Sequence, residues 1–295
     1  MTSSFLVGLV GEGILESFTP DMHMTEASQF GLDYEYRLID IREQGAVPPT
    51  TSSLLADAVA RGYAALNITH PFKREILTSL DELSPDAARI GAANVVLIRD
   101  GVLRGENTDW TGFRRALTLG LPDCSMDTVI QYGAGGAGSA TAYALLSQGV
   151  RRLLITDIDD ARASSLALRY GALFGDREVR AVESSSAASV LGMAGGVVQA
   201  TPVGMHLYPG VPFEVRDLAP DAWVADVVYR PLETELLKKA TERGHRVLDG
   251  GLMAVGQAAD SLELITGIQP DFNRMRRNFH SLLNSDSALS QIRGI

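Results

Sequence analysis

The chain predicts an α/β protein of two domains, and three observations carry that expectation. Apolar, β-branched runs alternate with helical patterns along the whole sequence, as in parallel sheets covered by helices. At 295 residues the chain stands where a single core, which rarely outgrows about 250–300 residues, divides into two. A glycine-rich turn, Gly133-Ala134-Gly135-Gly136-Ala137-Gly138, follows a strand-like run near the middle and opens a second α/β unit. The expected domains are 1–110, completed by the helical stretch 252–295, and 111–251.

The elements follow in order. Phe5–Gly11 reads as a buried strand. Thr19 is expected to cap a helix with Pro20 at its first position and Gly31 as its stop. Tyr34–Asp40 is a strand, Ser52–Arg61 a helix ended by Gly62, and Ala64–Thr69 a strand. Asn94–Ile98 and Val102–Gly105 flank Asp100-Gly101, a two-residue hairpin signal. A helix from about Thr111 leads into the second unit, where strand Thr128–Gly133, helix Ala137–Gly149, strand Arg152–Asp157 and helix Asp160–Leu173 alternate. Strands are further expected at Gly196–Ala200, Trp223–Val228 and Arg246–Leu248, before a helical end interrupted by Gly267 and Pro270.

Composition narrows the function classes. With 45% hydrophobic and 21% charged residues, this is an ordinary globular sequence. A net charge of −10 argues against nucleic acid or an anionic membrane as partner, yet leaves room for an anionic metabolite held by local basic groups. The single cysteine, Cys124, excludes an intramolecular disulfide and fits a reducing cytosol, so a cytoplasmic protein is expected. Cys124 lies in a loop-like stretch with no histidine nearby and reads as a bystander. Phe5 through Gly11 lacks a basic leader, and no run approaches the roughly 20 apolar residues of a membrane span. His23, His70, His206, His245 and His280 show no metal-ligand spacing, and no metal is expected.

The chemistry concentrates at element ends. Asn67-Ile68-Thr69-His70-Pro71-Phe72-Lys73 sets an amide, a hydroxyl and an amine at a strand exit, where Pro71 forces the chain to turn. Asn107-Thr108-Asp109 forms a second polar cluster. Oxidising an alcohol needs a group that takes the hydroxyl proton, and a lysine sharing its charge with a carboxylate does this. A solvated lysine and a helix-capping aspartate are the plainer alternative for Lys73 and Asp109. It loses weight because Asn67, Thr69, Asn94, Asn107 and Thr108 all fall at element ends in the same part of the chain, a set suited to a polyhydroxylated ligand. Ser17 and Thr19 read equally as a loop residue and a cap, or as a hydroxyl pair for a carboxylate.

The glycine turn stands where a backbone approaches a pyrophosphate and offers helix N-terminal N–H groups, although such turns also arise for packing alone. Asp157 ends the next strand, where a ribose-binding carboxylate belongs; it repels a 2′-phosphate, and Ile158 offers no charge to hold one. Arg162, a turn into the next helix, is the residue that would reach such a phosphate. NAD is therefore expected over NADP.

Taken in order, these residues resemble the shikimate dehydrogenase family over nearly the whole chain. The resemblance rests on Ser17-Phe18-Thr19-Pro20-Asp21-Met22-His23, Asn67 through Lys73, Gly91-Ala92-Ala93-Asn94 and Asn107 through Gly112. It continues in Ala200-Thr201-Pro202-Val203-Gly204-Met205, Asp226 through Leu232 and Gly256-Gln257-Ala258-Ala259. It implies a substrate domain with a mostly parallel sheet, a Rossmann-type dinucleotide-binding domain, and interconversion of a ring alcohol and ketone in shikimate or quinate. Carried over by position, Lys73 and Asp109 are the catalytic pair and Ser17 and Thr19 hold the carboxylate. Asn67, Thr69, Asn94, Tyr229 and Gln257 surround the ring. The pyrophosphate would lie over Gly135–Gly138 and the nicotinamide near Met205 and Gly251, within a cofactor-binding set of Gly133, Ala134, Gly135, Gly136, Ala137, Gly138, Asp157, Arg162, Thr201, Met205, Val228 and Gly251.

Two departures point away from the NADP-linked biosynthetic members. Those commonly carry Asn-Arg-Thr where this chain has Asp157-Ile158-Asp159, and a serine where it has Thr19. Both changes resemble the NAD-dependent quinate/shikimate dehydrogenases of quinate catabolism. A biosynthetic, NADP-linked shikimate dehydrogenase, a relative acting on an amino-substituted ring and a nucleotide-binding regulator without turnover remain alternatives, and a monomer or homodimer is expected.

Overall fold

The computed structural model describes residues 4–43 and 49–293, with side chains to residue 285. The chain divides into two compact units, 1–108 with 255–295, and 109–254. Residues 294–295 of the expected helical end lie outside the described residues.

The first unit runs β1 (Ser4–Gly11), α1 (Thr19–Ser28), β2 (Asp33–Asp40), α2 (Thr51–Ala60), β3 (Ala65–Ile68), β4 (Glu82–Leu83), α3 (Pro85–Ile90), β5 (Val95–Arg99) and β6 (Val102–Glu106). Its sheet has the order β2-β1-β3-β5-β6-β4. β1 pairs in parallel with β2 and β3, and β4 with β6, whereas β3–β5 and β5–β6 are antiparallel. The sheet is thus mixed rather than wholly parallel, and the antiparallel β5–β6 pair is closed by the hairpin at Asp100-Gly101, where both residues take positive φ. Side chains alternate between two cores: Val10, Leu66, Ile68 and Val96 pack with Leu54 and Leu55 of α2, while Val7, Leu9, Ala65 and Val95 pack with Ile265 on the other face.

The second unit runs α4 (Asp109–Gly120), β7 (Thr128–Tyr132), α5 (Gly136–Ser147), β8 (Arg152–Thr156), α6 (Asp160–Leu173), β9 (Glu178–Ala181), β10 (Gly196–Gln199), β11 (Trp223–Asp226), α7 (Glu235–Glu242) and β12 (Val247–Leu248). The sheet order is β12-β11-β10-β7-β8-β9, every pair parallel. β7, β10 and β11 are buried along their whole length, as a sheet covered on both faces requires. Helix α8 (Gly251–Thr266) starts in this unit and continues in the first, which α9 (Phe272–Arg293) completes. There Arg274 of α9 grips the buried carboxylate of Glu26 at 2.6 and 2.7 Å, and Glu26 also accepts the N–H of Asp271.

Some details differ from the expectations above. Thr19 does not cap α1: the cap position is Phe18, in helical geometry with no side-chain cap bond, and Pro20 follows Thr19 inside the first turn. Phe18 is itself buried, edge-to-face against Phe279. The helix expected from Thr111 begins at Asp109. Strands β4 and β9 and helices α3 and α7 were not anticipated, although Ser84, Pro85 and left-handed Gly91 bracket α3 with complete start and stop signals.

Candidate active site

In the first unit the predicted polar residues are held by one another. Asn67 ends buried inside β3, where Tyr36 donates its hydroxyl to Oδ1 at 2.9 Å and Nδ2 donates to Ser261 Oγ at 2.8 Å. Behind Tyr36 lies His23, whose ring meets the tyrosine edge-on at 5.1 Å and whose Nδ1 is 2.9 Å from the Tyr34 hydroxyl. Burial pushes His23 down to about 3, so the imidazole is neutral. Thr69 follows at the strand exit and is half-buried, its methyl close against Gly11, where any Cβ would collide. The turn to Lys73 passes through a cis His70–Pro71 bond, and Phe72 inserts into the core beneath it.

A second knot joins Asn94, Thr108 and Gln257. The Thr108 N–H donates to Asn94 Oδ1 at 2.6 Å, Asn94 Nδ2 donates to Thr108 Oγ1 at 2.9 Å, and the Thr108 hydroxyl donates to the Gln257 carbonyl at 3.0 Å. Asn94 Nδ2 also reaches Gln257 Oε1 at 3.4 Å. The Lys73 carbonyl accepts the N–H of Ala93, so Lys73 is tied by its backbone to the residue preceding Asn94. Asn107 donates to the Ala92 carbonyl. Ser17 donates to Thr19 Oγ1 at 3.2 Å and accepts the Thr19 N–H, which makes the two hydroxyls one local pair.

In the second unit the ends of four adjacent strands carry polar side chains that fold back on the loops they start. At the end of β7, Gln131 donates to the carbonyls of Gly133 and Gly138, both at 2.8 Å. After β8, Asp157 accepts the N–H of Ala134 at 2.7 Å and that of Asp159 at 2.9 Å. Gln199 of β10 bonds the Thr201 hydroxyl and the carbonyls of Thr201 and Val203. Asp226 of β11 accepts the Val228 N–H and the Thr234 hydroxyl. Burial pushes Asp226 up to about 7, against the pull of those two bonds. Gln131 and Gln199 were missed in the sequence; the signal was there, an amide inside each of two otherwise apolar strands.

The remaining predicted residues of this unit sit on those loops. Gly135 is the cap position of α5 and no side chain caps the helix; the first N–H donated inward is that of Ser139, to the Gly135 carbonyl. The N–H groups of Gly136 and Ala137 precede it and suit an anion. Gly133 takes φ +104°, and a Cβ there would lie 2.6 Å from the Ala200 carbonyl oxygen; a Cβ on Gly138 would strike the Gly133 carbonyl. Such a glycine cradle fits a dinucleotide. Arg162 does not face Asp157: it pairs with Asp159 at 3.0 Å, beside an Ile158 that is 95% exposed. Met205 lies in a tight turn closed by the Gly204 N–H on the Tyr208 carbonyl, Tyr229 is half-buried just before the cis Arg230–Pro231 bond, and Gly251 donates to Asp249. Among the described residues no group of three or more metal-ligating side chains gathers, and no helix is long and apolar enough to cross a membrane.

These features define an α/β oxidoreductase with a substrate unit and a Rossmann-type nucleotide unit. Residues 9–96 match the shikimate dehydrogenase substrate binding domain. The chain is 49% identical to a shikimate dehydrogenase (NADP(+)) of Arthrobacter sp. (strain FB24), over 96% of this chain and 97% of that one. It is 46% identical to a quinate/shikimate dehydrogenase (NAD(+)) of Corynebacterium efficiens, over 95% and 99%. The structure of a quinate dehydrogenase from Corynebacterium glutamicum in complex with NAD superposes with a TM-score of 0.87 at 45% identity, covering 94% of this chain and 99% of that one. The chain belongs to the shikimate dehydrogenase family.

Proposed function

We propose that the protein oxidises shikimate or quinate, reversibly, at the C3 hydroxyl with NAD. One observation carries the reading: a single hydrogen-bonded frame runs from the Lys73 carbonyl through Ala93 and Asn94 to Thr108, whose next residue is Asp109. The frame ties the amine-bearing turn to Ala93, and Thr108 to the buried side chain of the next residue, Asn94. Lys73 takes the proton of the C3 hydroxyl, Asp109 shares the charge this brings, and C3 becomes a carbonyl carbon. Bound NAD supplies the acceptor for the hydride that leaves C3.

The roles of the other residues are part of the proposal. Ser17 and Thr19, already paired, offer two hydroxyls to the ring carboxylate. Asn67 has spent half of its amide capacity on protein partners and Asn94 most of it, so each offers the ring a fixed remainder rather than a free side chain. Thr69, Gln257 and Tyr229 complete the ring set. The turn from Gly133 to Gly138 holds the pyrophosphate, and Thr201, Met205, Val228 and Gly251 face the nicotinamide. Asp157 supports NAD over NADP: its oxygens, anchored on two N–H groups, retain lone pairs for ribose hydroxyls and repel a phosphate. Arg162 pairs instead with Asp159 on the surface, at 3.0 Å. A cytoplasmic setting and a monomer or homodimer are also proposed, the former resting on the lone Cys124 and the acidic charge.

Initial rates with shikimate and quinate, each with NAD and with NADP, test the reading. Turnover of either acid with NAD, and little with NADP, is the expected result. Turnover mainly with NADP overturns the role of Asp157 and makes Arg162 the phosphate ligand. No turnover in any combination favours an amino-substituted ring or a binding-only role.

A further inference from the structure

Gln131 has no place in the chemistry, yet both polar atoms of its side chain are bonded inside the second unit. It lies in β7 with no exposed surface. Both hydrogens of its amide nitrogen are spent, on Gly133 and Gly138 at 2.8 Å, and its oxygen accepts the Thr141 hydroxyl at 2.8 Å. Those partners are the first and last residues of the glycine turn and a residue one turn into α5. The two carbonyls converge because Gly133 takes positive φ and Gly138 lacks a Cβ, which brings the start of the turn against its end. An apolar residue at this position would take the buried amide donor from both carbonyls, leaving that of Gly138 its bond from the Thr141 hydroxyl at 3.2 Å. The amide thus ties the peptide after Gly133 to the peptide after Gly138, across the turn that precedes α5.

We propose that Gln131 is a positioning residue for the nucleotide, an amide clamp that shapes the turn for the pyrophosphate without touching it. The inference rests on the reading above that this turn binds a dinucleotide. Removing the clamp loosens the turn, so the cost falls on ligands that carry a pyrophosphate. Ligands that carry only adenosine, held elsewhere on the unit, keep their affinity. The proton-transfer residues belong to other segments, and turnover at saturating nucleotide is retained.

The test uses the full chain and Gln131→Met, which keeps length and volume and removes both donors. Calorimetric titration with NAD and with ADP-ribose is expected to show dissociation constants about tenfold higher, the size of one or two lost buried hydrogen bonds. The inhibition constant of adenosine, the KM for shikimate and kcat at saturating NAD are expected to stay within about twofold, inside the scatter of a change below one hydrogen bond. An unchanged NAD dissociation constant in a folded variant with a lowered Tm overturns the proposal and leaves Gln131 a purely structural amide. Equal weakening of adenosine and ADP-ribose overturns it too, because the effect is then not at the pyrophosphate. If Gln131→Met fails to fold, Thr141→Val, which keeps both bonds from the Gln131 amide but removes the hydroxyl from its oxygen and from the Gly138 carbonyl, is read the same way, with an unchanged ADP-ribose affinity as the overturning result. A wild-type chain that binds neither nucleotide sinks the underlying reading of the turn, a different failure from a wild type that binds and a variant that binds equally well.

Discussion

Asn67 of the first unit meets its partner Ser261 across 194 positions of chain, and Asn94 meets Gln257 across 163. In the second unit, Gln131 reaches partners 2, 7 and 10 positions away, and Gln199 and Asp226 stay within 8. Both sets are buried polar side chains at strand ends, and both satisfy themselves inside the protein. They differ in what must be assembled first. A local clamp forms with its own strand and loop, whereas the amides of the first unit gain their last partners only when α8 has docked. The nucleotide loops are thus shaped by nearby segments, the farthest tie being that of Asp157 to Ala134 across 23 positions, while the ring-binding surface depends on the whole unit.

The largest expected effect breaks a tie that spans 248 positions. Arg274→Met leaves the buried Glu26 carboxylate with the Asp271 N–H but no cation, and should lower the urea midpoint clearly below that of the wild type. An unchanged midpoint would mean that α9 docks by apolar packing alone and that the long-range ties are incidental. Next comes Lys73→Ala, expected to lower kcat by at least about 10²-fold, or about 2.7 kcal/mol, with little change in either KM. An unchanged kcat would remove Lys73 from the chemistry and with it the claim that the first unit supplies the proton acceptor.

The two units should also answer pH in opposite senses. Asp226 is pushed up to about 7 from an ordinary 3.8, so between those values the folded chain keeps a proton that the unfolded chain has released. Its contribution is favourable below that window and declines as pH rises through it. Asp226→Asn, which keeps an acceptor for Val228 and a donor toward Thr234, should match the wild type near pH 4 and exceed it near pH 8 by on the order of 2 kcal/mol. His23, pushed down to about 3 from 6.5, works the other way: the unfolded chain binds the proton first, and stability is lost as pH falls across that window. Unfolding midpoints against pH for wild type and Asp226→Asn would show whether the neutral limb alone flattens; a parallel shift at every pH would refute the assignment to Asp226.

The smallest effect concerns a single long-range bond. Ser261→Ala removes the acceptor of Asn67 Nδ2 and should cost about 1 kcal/mol, raising the KM for shikimate a few-fold without moving that for NAD. A change in the NAD term instead would erase the division of labour drawn here.

Much of this was legible before any coordinates. The alternation of Phe5–Gly11, Tyr34–Asp40 and Ala64–Thr69 with helical stretches carried the class, and Asp100-Gly101 carried the hairpin, because both are local signals. The polar residues of Asn67–Lys73 and Asn107–Asp109 stood out by type. Their mutual bonds did not, since no spacing announces that Ser261 ends beneath Asn67. The cap of α1 was misassigned because the rule weighs hydroxyls, while here a buried phenylalanine holds the cap position. Gln131 and Gln199 escaped because an amide in a strand reads as an exposed edge; only the fold shows each bent back on the loop it starts.

The chain leaves the first unit after Thr108 and returns to it within α8, so the nucleotide unit is an insertion in the substrate unit. A ribosome delivers residues N-terminus first, and domains tend to fold as they emerge. Asn67 and Asn94 are therefore made early but wait for Gln257 and Ser261, and the inserted unit is complete before they arrive. The part of the enzyme that begins first is the part that finishes last.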